Sequence, residues 1–185
     1  MNTRLRGIVI VAAASSLAAG LTACGDSASD TSEPTTSAQE VQISYHPCDQ
    51  LPAEAMGALG LDLSTADRYE RTNPVSLECT LAHRDPSYGV GIYALAQSYD
   101  AAIADSRLRE KESFTVAGRD VSIAEFTDGE LCMANIDIPP GVLQVSVDYK
   151  AQSTRPNEDL TTVDQACAEA KNIVNALGPH LPQRL

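Results

Sequence analysis

Tryptophan is absent from the 185 residues, and two Phe and six Tyr are the only aromatics. So few rings argue against an extended aromatic platform for stacking sugars or bases. Bases are also scarce: 13 Lys and Arg stand against 25 Asp and Glu, a net charge of −12. Such a field repels a phosphate backbone and excludes nucleic acid as a partner. Only three histidines are present, His46, His83 and His180, which leaves few ways to assemble a nucleophile, a base and an orienting group. The sequence holds no glycine-rich phosphate loop, no D-x-[DN]-x-[DN]-G calcium loop and no close cysteine pair of a zinc site. No metal, no cofactor and no enzymatic activity is therefore expected. Hydrophobic residues at 43% and charged ones at 21% describe an ordinary globular chain, neither wholly disordered nor polytopic in a membrane.

What is present begins with an export signal. Arg4 and Arg6 precede an uncharged stretch, residues 7–23, rich in Ile, Val, Ala and Leu but interrupted by Ser and Gly. It ends in Leu21-Thr22-Ala23-Cys24, which resembles the bacterial lipobox, so Cys24 is expected to take a diacylglyceryl group and become the new N-terminus. Two or three acyl chains hold a protein stably to a membrane at about 0.8 kcal/mol per buried methylene. Removing residues 1–23 leaves 162 residues (185 less 23), enough for one domain, and the loss of Arg4 and Arg6 takes the charge from −12 to −14.

Residues 24–40 read as the lipidated cysteine and a disordered tether. GDSASDTSEPTTSAQE has no aromatic, no large aliphatic and four acids without a base, too little apolar surface to offset the entropy of ordering. As a coil it places the domain on the order of 20 Å from the lipid, and at most ~55 Å when stretched.

From residue 41 to 185 the composition is that of a single globular domain. Once Cys24 is acylated, Cys48, Cys79, Cys132 and Cys167 remain, an even number in an oxidising compartment, which points to two disulfides. Four cysteines allow three connectivities and nothing local chooses among them; the sequential pairing, Cys48 with Cys79 and Cys132 with Cys167, is the one expected. Val163, Ala166, Cys167, Ala170, Ile173, Val174 and Leu177 form one stripe at helical period, with Thr161 and Asp164 as a capping pair and Gly178-Pro179 as the stop. Shorter helices are expected over 51–61 and 99–109. Between the helices the period falls to two: 77–82 and 90–94 form a hairpin through Asp85-Pro86-Ser87. Four further strands are expected over 113–117, 121–126, 131–138 and 142–149, the first two joined through Gly118-Arg119-Asp120. Tight turns require antiparallel pairing, so the class is α+β: an antiparallel sheet of about six strands flanked by helices.

Other chemistry-bearing residues read as structural. His83 closes a strand near Asp85 as a solvated ring, and Asp120, Glu125, Asp128, Glu130, Asp137 and Asp148 read as a solvated acidic face. Gly89 and Gly91 allow close packing or a bulge, and Arg119 is a hairpin charge.

The lipobox, the polar tether, Pro47-Cys48 before a short helix ending at Leu59-Gly60-Leu61, Cys79 in a strand, Ala117-Gly118-Arg119 in a hairpin, Cys132 in a strand and Cys167 in the last helix together resemble the actinobacterial lipoproteins of the domain of unknown function 3558 family. That resemblance implies a secreted, membrane-attached envelope domain without assigned chemistry. The functional expectation is a binding or accessory module on the outer face of the cell membrane, held there through the lipid on Cys24, with an envelope protein as its partner. Its interaction surface would be one sheet face or the loops 62–74 and 150–159. The alternative is a carrier of a small apolar ligand or lipid in a cavity lined by Met56, Leu59, Ile92, Ile136 and Val145.

Overall fold

A computed structural model describes residues 41–185; the signal peptide, the lipidation site Cys24 and the tether expected over 24–40 lie outside the described residues. Proline divides the front of the domain into two short helices. Pro47 opens α1 (Pro47–Gln50), capped by His46, whose Nδ1 accepts the Cys48 N–H at 3.3 Å. The helix expected over 51–61 is α2 (Ala53–Ala58), with Pro52 just before its first turn. The chain leaves α2 through Gly60, whose φ of 72° needs glycine and whose Cα lies against the His83 ring: a Cβ there would be 2.6 Å from Nε2.

Seven strands follow: β1 (Asp67–Thr72), β2 (Val75–Arg84), β3 (Ser87–Leu95), β4 (Leu108–Val116), β5 (Arg119–Phe126), β6 (Leu131–Ile138) and β7 (Gly141–Asp148). They form one antiparallel sheet in the order β1-β2-β3-β7-β6-β5-β4. The α+β class is as read from the sequence, with more strand than expected at both edges. The edge strand β1 lies inside 62–74, which reads as a loop, and β4 begins inside the helix expected over 99–109. That helix is only α3 (Tyr99–Ile103), because Asp105 turns the chain by accepting the Arg107 N–H at 2.9 Å. Every residue of β1 and most of β4 are exposed, so neither carries the apolar alternation that marks a half-buried strand. The β4–β5 hairpin turns one residue earlier than expected, on Ala117 and Gly118 with φ of 49° and 76°.

The long helix α4 (Val163–Leu177) buries Ala166, Ala170, Ile173, Val174 and Leu177. Its capping box is Thr162 with Gln165 rather than Thr161 with Asp164, since Gln at the third position reaches back to the cap N–H. α4 packs across β5, β6 and β7. There it covers the inward row of β6 (Cys132, Ala134, Ile136, Ile138) and of β7 (Leu143, Val145, Val147), continuous with Val90, Ile92 and Ala94 of β3. Two disulfides lie on this side with the sequential pairing: Cys48–Cys79 holds α1 to β2 and Cys132–Cys167 holds α4 to β6, each with Cα atoms 5.1 Å apart. Such bonds persist in oxidising compartments, which makes this an extracytoplasmic domain. Among the described residues no helix is long and apolar enough to cross a membrane.

Candidate functional site

Residues that alternate with the core face the other side of the sheet, and there the registers place one transverse row across all seven strands. Tyr69, Glu78, Tyr93, Gln144, Asn135, Ser122 and Ser113 pair in succession from β1 to β4. Every member is polar or carries a hydroxyl, where the helix-covered side of the same strands is aliphatic. α3 packs on β6 and β7 on this side, where Val142 and Asn135 are fully buried. The half built from β1, β2 and β3 carries a trough.

One end of the trough is a concavity of about 380 Å³ lined by Tyr69, Arg71, Glu78, Thr80, Tyr93, Leu95 and Gln144. A second, of about 210 Å³, shares Thr80 and Tyr93 and runs on past Gly91 to Ser146 and Asp148. Tyr93 separates the two. Its ring lies directly on Gly91, where any β-carbon would overlap the ring and its hydroxyl, and its Oη accepts from Ser146 Oγ at 3.3 Å. This is why Gly91 stands in the strand: it makes room for an aromatic ring laid along the sheet. No bulge occurs there; the one register irregularity of the sheet is between Glu110 and Glu112.

The polar groups of the trough are held in place by groups beneath them. Glu78 is 7% exposed and accepts from Ser76 Oγ at 2.6 Å and from Arg71 Nε at 2.7 Å. The shared carboxylate holds Arg71 more firmly protonated, through the hydrogen bond first and its charge second. The two terminal nitrogens of that guanidinium have no hydrogen-bond partner among the described residues, and the side chain is 67% exposed. Gln144 Nε2 donates to Asn135 Oδ1 at 2.8 Å, so its own oxygen remains available to an incoming donor. The Asn135 Nδ2 beneath it has no partner among the described residues.

The three histidines are separated by the fold. His46 is buried as the α1 cap, with Nε2 4.0 Å from Glu70 and otherwise unpartnered among the described residues. His83 does not pair with Asp85: its Nδ1 is 2.7 Å from the Pro86 carbonyl and its ring stacks on Tyr88 at 4.5 Å. Burial, with Glu169 adding to it, pushes the Tyr88 hydroxyl well above its usual range. His180 is exposed in the 3₁₀ turn after α4. The acids gathered in the sequence are likewise dispersed. Glu125 pairs with Arg109, Asp148 accepts the Gly89 N–H, and Glu130 accepts the Ala151 N–H. Asp120 and Asp137 act on Tyr99, whose hydroxyl is raised by burial first and these charges second. Arg119 is more than a hairpin charge, since it donates to the carbonyls of Pro182 and Gln183 and ties down the chain after α4. The loop 150–159 is organised around the buried Asp159, which accepts from Lys150 and Ser153.

The family model described as protein of unknown function (DUF3558) matches residues 19–180, and the chain belongs to that family. No curated protein and no solved structure matches it.

Proposed function

We propose that this member of the family is a lipid-anchored binding module of the cell envelope, without catalysis of its own, that works through the exposed half of the open sheet face. One observation carries the reading: the trough presents polar groups whose orientation is fixed from below by a nearly buried Glu78 and by the Gln144–Asn135 bond. Binding sites are built in this way, with a few held polar groups on a rigid element. The residues that would line an internal ligand cavity favour the same reading. Met56, Ile92, Ile136 and Val145 are all at 0% exposure in one packed cluster, with Leu59 packed against it. The anchor is the diacylglyceryl group expected on Cys24, and residues 24–40 are the tether.

Rescue of a deletion strain tests the module. Tyr69→Ala and Arg71→Ala should fail to rescue, while His46→Ala, His83→Ala and His180→Ala should rescue wherever they fold. A folded histidine variant that fails would turn the reading toward catalysis. The anchor has its own test: Cys24→Ala should move the protein out of the detergent phase, and retention there would remove the lipid from the proposal.

A further inference from the structure

The trough has an occupant written into its chemistry. Its single cation, Arg71, is matched by Glu78, and Asp148 at the far end leaves the lining slightly acidic, in a chain whose net charge is −12. A polyanion gains nothing there and is repelled by the rest of the molecule. An apolar ligand finds Leu95 in one concavity and Leu131 in the other, set among hydroxyls, an amide, an ion pair and the Asp148 carboxylate. A ligand rich in hydroxyls, each both donor and acceptor, satisfies the available groups: the two terminal nitrogens of Arg71, the Gln144 oxygen and the Thr80 hydroxyl.

The tyrosines add shape. Tyr93 lies along the sheet on Gly91, and Tyr69, 51% exposed, stands in the same transverse row two strands away. Two strand spacings are about 10 Å, the length of two linked pyranose rings. A sugar ring presents an apolar face of C–H groups and an edge of hydroxyls, which matches a tyrosine face flanked by planar polar side chains. The scarcity of aromatics in the sequence argues against a sugar platform, but the fold gathers two of the six tyrosines at one trough.

We propose that the trough across β1, β2 and β3 binds a neutral oligosaccharide, with Tyr69 and Tyr93 stacking on pyranose rings and Arg71 and Gln144 reading their hydroxyls. This rests on the module reading above and gives it a ligand class.

The test is calorimetric titration of the full chain, in a non-glycosidic detergent, with cellohexaose, maltohexaose and chitohexaose, and with inorganic phosphate as the anionic probe. At least one hexasaccharide should bind, and Tyr93→Ala and Tyr69→Ala should each weaken it about tenfold or more, a loss of about 1.4 kcal/mol. Tyr93→Phe should keep most of the affinity. Thermal unfolding checks that each variant is folded. The proposal is overturned if no hexasaccharide binds at about 10 mM, where a millimolar site would be saturated. It is overturned equally if phosphate alone binds, or if both folded alanine variants bind as the parent does. Should the sugars fail while Tyr69→Ala still fails to rescue the deletion strain, the module reading stands and only its ligand is lost.

Discussion

Asn135 and Ile136 are neighbours in β6, both at 0% exposure, yet they belong to different environments. Ile136 lies among the aliphatic rows under α4, on the side that also holds both disulfides. Asn135 lies in the polar row that crosses the sheet, bonded to Gln144 at the margin of the trough. The period of two sends alternate residues to opposite tasks. Cohesion comes from the helix side, where burial is apolar and covalently tied, and the proposed recognition falls to the side whose contacts are polar and half open.

The comparison is broken most directly by exchanging the cost of substitution between the sides. Ile136→Ala should cost about 2–5 kcal/mol in urea unfolding, the usual range for emptying a filled aliphatic site. The exposed Tyr69→Ala should stay within about 0.5 kcal/mol. A Tyr69 variant as damaging as Ile136→Ala would make the open face part of the stabilising core.

Nearly as large is the disulfide effect. Loops of 31 and 35 residues give almost the same closure entropy, about 3.7 kcal/mol each. α4 has fifteen residues and its own buried stripe, whereas α1 is a single turn of four. Replacing Cys132 and Cys167 by Ala should therefore lower Tm while leaving α4 docked. Replacing Cys48 and Cys79 should in addition release the front of the domain, seen as loss of amide-exchange protection in residues 45–60.

Much of the helix side was legible in the sequence because its signals are local. The stripe of α4 repeats within fifteen residues, the hairpins announce themselves by alternation and turn residues, and the even cysteine count implies pairing. The open face was not. Tyr69, Glu78, Tyr93 and Gln144 each look like an ordinary surface residue, and only the register of four strands, spread over 75 positions (144 less 69), aligns them. β1 and the first half of β4, residues 108–112, escaped for a related cause: an exposed edge strand is specified by its neighbour's unpaired backbone rather than by its own apolar pattern.

A smaller effect sharpens the reading of Tyr93. Gly91→Ala places a methyl group where the ring now lies, so the ring must lift from the sheet at a cost of about 1–3 kcal/mol. Sugar binding should fall with it, and unchanged binding would separate the ring from the trough's function.

A gain rather than a loss is expected at Tyr45, a core residue whose buried hydroxyl has no partner among the described residues. Burial pushes this hydroxyl up to about 12, from 10.0. A raised value contributes stability that is full below pH 10 and is lost as pH rises through 12, because the unfolded chain ionises first. Tyr45→Phe should flatten that alkaline limb and raise stability at neutral pH by about 1 kcal/mol, since no buried donor is then left unpaired. An unchanged alkaline limb would show that another group governs it.

Among the described residues the sheet ends in two edge strands, β1 and β4, each paired on one side. β1 reads Asp-Arg-Tyr-Glu-Arg-Thr, and β4 carries Arg109, Glu110, Lys111 and Glu112 in succession. On the proposed anchor, copies held side by side would meet at these edges, where unpaired backbone can zip two sheets into a ribbon. The charged side chains along both rims, and the register irregularity at Glu110 and Glu112 in β4, oppose that joining. The module, if anchored as proposed, would thus stay a separate molecule even where copies are crowded.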